Sequence, residues 1–131
     1  MNISNYLRNK TLNHFFRGEA STSPSTFYVA LFTNNPTASS TGTEVSGGSY
    51  ERQIVTFTAP ATVDGKQQIT NSTDIEFPLA TAGWGTITHA EIKDQITTGN
   101  AYYFGALTTP KIIETGDVIR ISAGELKLNI A

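Results

Sequence analysis

The stretch FYVALFT at residues 27–33 decides the fold class of this chain. It is an almost uninterrupted apolar run, which is typical of a strand that is covered on both faces. The polar connector EASTSPST precedes it at residues 19–26, and the turn-forming stretch NNPTASSTGTEVSGGS follows it at residues 34–49. The run therefore predicts a strand in the centre of a sandwich or at a contact between subunits. A loop as long as 34–49 is either functional or a mobile surface segment.

Further strands are predicted on the C-terminal side of this run. The clearest is ELKLNI at residues 125–130, where apolar and polar residues alternate strictly. The other candidates lie at residues 50–59, 67–70, 73–77, 84–93, 101–108 and 118–122. Turn signals such as Asp64-Gly65 recur at intervals of roughly 8–12 residues, as in sandwiches and barrels. We therefore predict an all-β fold, a jelly-roll-like antiparallel β-sandwich of about seven or eight strands with one N-terminal helix.

The one long helix is predicted at residues 2–17. Asn2 or Ser4 can cap its N-terminus, because either side chain can accept a hydrogen bond from a free backbone N–H. Gly18 stands where a C-terminal stop is expected. No linker divides the chain, so residues 1–131 are predicted to form a single β-sandwich domain.

The apolar residues of this helix fall on two nearly opposite sides, one carrying Ile3, Tyr6 and Leu7 and the other carrying Leu12, Phe15 and Phe16. One straight helix packed on one core does not need that arrangement. In one interpretation the helix breaks near Lys10–Thr11 or presents a wide buried stripe. In the other, one half of the helix packs on its own domain and the other half on a second subunit.

Charge and composition exclude several functional classes. The formal net charge of −2 provides no electrostatic attraction to nucleic acid or to an anionic membrane. No apolar segment approaches 18 residues, which excludes a membrane-spanning helix, and no apolar signal region opens the chain. The absence of cysteine excludes disulfides, thiolate catalysis, cysteine-based zinc sites and iron–sulfur clusters held by thiolates.

Motifs for catalysis or for a cofactor are also absent from the sequence. Neither His14 nor His89 has a second histidine at metal-ligand spacing, and no GxSxG motif positions a nucleophile. Glu91 shares a strand face with His89, so the two could contact one ligand, but a surface polar pair is the simpler interpretation. We therefore predict no catalytic residue, no cofactor site and no metal site.

Three aromatic residues are candidates for contact with a ligand. Trp84 lies between Gly83 and Gly85, and its ring could stack on a sugar or fill the core of the sandwich. Tyr102 and Tyr103 are adjacent in a predicted strand and point to opposite faces, so at most one of them is buried. The other could contribute to a contact surface, because tyrosine is enriched at interfaces.

The order of segments along the chain resembles a known family. The strings LNHFFRG at residues 12–18, GTEVSGGSYERQ at residues 42–53 and FPLATAGWGTITH at residues 77–89 carry the resemblance, which covers nearly the whole chain. They are similar to a family of small virion proteins of tailed bacteriophages that is often labelled phage tail fibre protein. The resemblance implies a non-enzymatic virion component that needs no cofactor and assembles in the host cytoplasm. That compartment is reducing, which agrees with the absence of cysteine.

Three functions follow from this resemblance and from the residues. The first is a tail-associated structural protein, part of a fibre, a tip or a baseplate, which binds other virion proteins and forms a homo-oligomer. The helix would attach it, with Ile3, Tyr6 and Leu7 as interface anchors. The second is a capsid decoration or head-fibre protein. The third is an adhesion module that binds a host surface glycan through Trp84 or an exposed tyrosine.

Overall fold

Ten β-strands and one α-helix make up the secondary structure of residues 1–130, the part of the chain that the computed structural model describes. The predicted all-β fold with one N-terminal helix is therefore confirmed, although seven or eight strands were expected. Two short strands account for the difference, namely Asn2–Ile3, which lies in the stretch predicted as helix, and Ala61–Val63, which directly precedes the predicted Asp64-Gly65 turn. In chain order the elements are β1 (Asn2–Ile3), α1 (Asn5–Arg17), β2 (Phe27–Phe32), β3 (Gln53–Val55), β4 (Ala61–Val63), β5 (Lys66–Thr70), β6 (Ile75–Glu76), β7 (Gly85–Lys93), β8 (Ala101–Ile113), β9 (Arg120–Ile121) and β10 (Lys127–Ile130).

The largest sheet is antiparallel and has the strand order β1-β8-β7-β2-β3. Strand β2 pairs on one side with β7, where Leu31 lies opposite Ala90, and on the other side with β3. The segment from Val29 to Phe32 is buried throughout. This confirms the interpretation of FYVALFT as a strand covered on both faces, and the cover comes from the chain itself.

Two smaller antiparallel sheets complete the molecule, one with the order β10-β5-β4 and the other formed by β6 and β9. One hydrophobic core includes residues of all three sheets, among them Val29, Leu128 and Ile121, so the large sheet packs against the two small ones. Ile75 and Phe77, which alternate along the chain, are both buried in this core. Residues 67–70 and 73–77 do not pair with each other, because β5 pairs with β4 and β10 while β6 pairs with β9. The assignment of residues 1–131 to one domain stays a prediction.

The helix begins at Asn5, not at residue 2 as predicted, because Asn2 and Ile3 pair with β8 as strand β1. Ser4 provides the cap: its Oγ accepts a hydrogen bond from the Leu7 N–H at 3.1 Å. The same Oγ donates to the Ala101 carbonyl at 2.6 Å, so the cap also ties the helix to β8. Gly18 ends the helix with a φ of 70°, a left-handed conformation that glycine adopts without strain. The helix is continuous, so the alternative in which it breaks near Lys10–Thr11 is wrong.

We expect Ser4→Ala to lower the free energy of unfolding by about 1–2 kcal/mol. The substitution removes the cap and leaves the buried Ala101 carbonyl without its donor. Chemical denaturation of Ser4→Ala and of Ser21→Ala, an exposed serine in the connector, measures the effect. Equal stability of the two variants would show that the cap contributes nothing beyond an exposed serine.

The loop 34–49 packs against the end of the large sheet, and its Pro36 and Val45 side chains are buried. The Val45 N–H donates to the Leu31 carbonyl at 3.0 Å, which extends the hydrogen bonding of β2 into the loop. The Ala38 carbonyl accepts from the Asn5 N–H at 2.9 Å, so the loop also contacts the start of α1. The position of the helix is therefore set by both β8 and this loop.

Candidate docking surface

The three predicted interface anchors lie against the chain's own domain. Ile3 pairs with Tyr103 across β1 and β8. The ring of Tyr6 packs edge-on against Tyr102, with the two ring centroids 5.3 Å apart, and Leu7 packs against the core. All three anchors are half-buried. The N-terminal half of α1 therefore seats the helix on the sandwich, and a contact of these residues with a neighbouring subunit stays a prediction.

The C-terminal half of α1 exposes three large apolar side chains. Leu12 is 57% exposed, Phe15 is 72% exposed and Phe16 is 79% exposed. This distribution fits the interpretation in which the two halves of the helix face different neighbours, with the first half on the chain's own domain. Clustered exposed apolar side chains on a protein surface mark a site of interaction, because their hydration is unfavourable.

The same helix is the basic part of an acidic chain. Arg8, Lys10 and Arg17 are three of the nine basic residues of the sequence, and none of the eleven acidic residues lies in α1. The helix therefore carries a formal charge of +3, and the rest of the chain carries −5. Within residues 1–130, none of these three basic residues forms an ion pair. Their partners are uncharged: Arg8 and Arg17 donate to asparagine side chains of the helix, and Lys10 lies over the Tyr6 ring, so no carboxylate of residues 1–130 neutralises the positive charge.

An apolar groove of about 440 Å³ lies between α1 and the sheets. Its floor includes Ile92, Tyr103 and Leu128 from the core, and the connector at residues 21–24 forms one side. The helix lines it with residues at the spacing of a single helical face, namely Leu7, Lys10, Thr11, His14 and Phe15. We call this cavity the α1 groove. Its existence shows that the helix does not close over the end of the sandwich.

Trp84 belongs to the core and is 5% exposed. Its Nε1–H donates to the Gly48 carbonyl at 2.9 Å, and the Tyr50 ring packs edge-on against it with centroids 5.5 Å apart. Gly48 has a φ of 59°, and a side chain there would meet the Trp84 ring, since a Cβ would lie 2.8 Å from Nε1. In this structure the Trp84 ring therefore presents no open face on which a sugar could stack.

The two adjacent tyrosines differ in burial, which agrees with the prediction that at most one of them is buried. Tyr103 is buried, donates its hydroxyl to the Asn129 carbonyl at 3.1 Å, and has a pKa that burial raises. Tyr102 is half-buried between Tyr6 and Phe27, with the Phe27 centroid 5.0 Å away. Burial is the main cause that raises the pKa of Tyr102. Contact of either residue with a ligand stays a prediction, and both side chains line the α1 groove.

A buried polar network that the sequence pattern did not indicate connects the loop 34–49 to the sheet. The Arg52 side chain donates to both carboxylate oxygens of Glu44, at 2.8 and 2.7 Å. It also donates to the Gln95 and Thr98 carbonyls, at 2.8 and 2.7 Å. The Tyr50 hydroxyl donates to Glu44 at 2.6 Å. Because every partner belongs to the chain itself, the network holds the loop 34–49 against the sheet and against the turn that carries Gln95 and Thr98.

The ionisation of Glu44 is set by two opposing effects. Burial raises the pKa of its carboxyl group, but the hydrogen bonds from Arg52 and Tyr50 and the nearby positive charges lower it by more. The net result is a lowered pKa. Glu44 therefore stays ionised at neutral pH and remains a charged partner for Arg52.

Glu91 and His89 do not share one open site. Glu91 is fully buried, where its Oε1 accepts from Ser40 at 3.1 Å and lies 3.4 Å from the Lys93 Nζ. Its Oε2 has no hydrogen-bond partner among residues 1–130, and burial raises the pKa of the carboxyl group. His89 is half-buried and its Nδ1 contacts the Thr88 hydroxyl at 2.8 Å. The loop 34–49 covers Glu91, which the sequence spacing alone could not indicate.

Among residues 1–130, no three histidine, cysteine, aspartate or glutamate side chains lie close enough together to hold a metal ion. In the same part of the chain, no helix has the length and apolar character needed to cross a membrane.

A family model described as podophage GP4 fiber I protein gp80 matches residues 2–129. The match supports the resemblance noted in the sequence, since it covers both the helix and the sheets. A search of curated proteins found no match to this chain.

Proposed function

The chain belongs to the family of podophage fibre proteins described as GP4 fiber I protein gp80, and on that premise we propose that it is a non-enzymatic structural protein of the phage tail. It acts by assembly with other virion proteins, as part of a fibre, a tip or a baseplate. Membership of a fibre family supports a location of the protein in the virion. The absence of cysteine suits assembly in the host cytoplasm, because that compartment is reducing.

The observation that carries this proposal is the division of α1 into a seated half and an exposed half. The seated half holds the helix on the sandwich through Ser4, Tyr6 and Leu7. The exposed half presents Phe15 and Phe16 at the surface. A rigid element that carries large apolar side chains away from its own core is suited to contact with another protein.

Of the two sequence-based arguments for a homo-oligomer, one is no longer needed. The apolar strand β2 was one argument for self-association, but its residues Val29 to Phe32 are already buried within the chain itself, on both faces of the strand. The exposed half of α1 remains as the second argument. We propose that it first serves attachment to the particle, so that self-association of the isolated chain is not needed for its function.

Labelling of intact particles tests the tail assignment. Virions that carry an epitope-tagged copy of the chain are examined by immunogold electron microscopy, with untagged virions as the control. We expect label at the tail. Label at the capsid would replace this proposal with the decoration or head-fibre function, and tagged lysates with unlabelled particles would overturn a role in the virion.

A further inference from the structure

The α1 groove has a chemical asymmetry that its volume alone does not reveal. Residues at positions i, i+4 and i+7 of a helix share one side, so Lys10 and His14, which line the groove, and Arg17, which lies beyond the lining residues, form a row on one side of α1. Phe15 lines the groove from the other edge of the same helical face, and apolar core residues such as Leu128 form the floor. The groove is therefore apolar inside and basic along one edge. We call the row Lys10, His14 and Arg17 the basic lip.

The size of the groove indicates what kind of group it can take. About 440 Å³ falls in the range of cavities that bind ligands the size of several side chains. An apolar floor that reaches Ile92 and Leu128 favours aliphatic or aromatic groups, because their transfer from water to such a surface is favourable. One or two apolar side chains of a partner protein fit this description.

The charge of the helix identifies the sign of the partner. Glu19 is the one acidic residue among residues 1–26, which contain three basic residues. Among residues 1–130, the part of the domain on which the helix packs forms no ion pair with the residues of the basic lip. A symmetric contact with α1 of a second copy would bring two helices of +3 together, and like charges in close contact oppose association. An acidic partner removes that repulsion and adds attraction.

We propose that the α1 groove binds an acidic segment of another virion protein, which places one or two apolar side chains in the groove and carboxylates along the basic lip. This inference rests on the proposed function, because it names the chemistry of the partner that the exposed helix attaches to. In this proposal the residues that line the groove and the basic residues beside it have different roles. The groove contributes apolar burial, and Lys10 and Arg17 select a negatively charged segment.

Synthetic peptides of matched length test the selection directly. Each labelled peptide carries the same central Phe-Leu pair, flanked either by four aspartates or by four lysines, and binding is measured by fluorescence anisotropy. We expect the aspartate peptide to bind about tenfold more tightly than the lysine peptide at low salt, with a preference that shrinks at high salt. Equal binding of the two peptides would overturn the proposal.

Two variants assign the effect to the groove. Lys10→Glu/Arg17→Glu should reverse the preference, whereas the matched control Lys66→Glu/Lys111→Glu changes the net charge equally at exposed sites outside the groove and should preserve it. Thr11→Phe fills the groove from the helix and should weaken binding of both peptides about tenfold, with Thr62→Phe on exposed β4 as its control. Circular dichroism confirms that each variant is folded.

Other results point to other occupants. A dimer of the wild-type chain in solution that Thr11→Phe abolishes would show that a second copy occupies the groove, and would overturn the acidic partner. Label at the tail combined with equal peptide binding would leave the proposed function standing and refute the inference alone. Absence of gold label from the tail of tagged virions would refute the proposed function, whichever result the peptide binding gives.

Discussion

Trp84→Ala is expected to lower the free energy of unfolding by about 3–5 kcal/mol, the range for deletion of a buried large aromatic side chain. The ring is almost fully buried and packs against Tyr50. Its removal leaves a cavity and also leaves the Gly48 carbonyl without its donor. For a chain of this length the change corresponds to a fall in melting temperature of roughly 10–20 °C.

Two further variants separate packing from hydrogen bonding at this site. Trp84→Phe keeps an aromatic ring in the core but removes the Nε1–H, so it should cost about 1–3 kcal/mol. Leu79→Ala, at a side chain that is largely exposed, should change stability by less than about 0.5 kcal/mol. If Trp84→Ala were no more destabilising than Leu79→Ala, the ring would not be a core residue and stacking on a glycan would again be a reasonable function for it.

Arg52→Ala is expected to cost about 3 kcal/mol at neutral pH, because it removes one partner of a largely buried ion pair. Glu44 then loses its bidentate partner, and the Gln95 and Thr98 carbonyls lose their donor. Arg52→Lys should recover only part of the loss, since an ammonium group cannot reproduce the bidentate geometry. Denaturation curves of the three proteins at pH 7 measure these differences.

The pH dependence of the same variant provides a second readout. The pKa of Glu44 is lowered in the folded chain, so its interactions stabilise the fold above the pKa of the unfolded state and are lost as the pH falls through the lowered value. The difference in stability between wild type and Arg52→Ala should therefore narrow below about pH 4. A difference that stays constant from pH 7 to pH 3 would show that the charge of Glu44 plays no part.

The features that could be predicted from the sequence are those set by local pattern. The apolar run in β2 is continuous because both faces of that strand are covered, and the helix stops at Gly18 because glycine tolerates the left-handed cap. The two-sided arrangement of apolar residues in α1 was also visible. Periodicity could not show which side meets the chain's own domain, because that depends on the pairing of β1 with β8.

The features that escaped prediction depend on contacts between distant parts of the chain. Glu44 and Arg52 meet only because the loop 34–49 folds over the sheet. Glu91 looks like an exposed residue of an alternating strand, but Ser40 covers it from the same loop. The α1 groove likewise needs the helix, the connector and both layers of the sandwich at once.

The measurement that tests the central claim most directly is the amount of this chain in purified particles. Phages are produced with the wild-type chain, with Phe15→Ser/Phe16→Ser, or with the control Ile112→Ser, which alters an equally exposed apolar residue on β8. The account predicts that both variants fold as stably as the wild type and that only the helix variant is reduced in particles, by about tenfold or more. Particles that contain the helix variant at the wild-type level would show that α1 does not attach the chain to the virion.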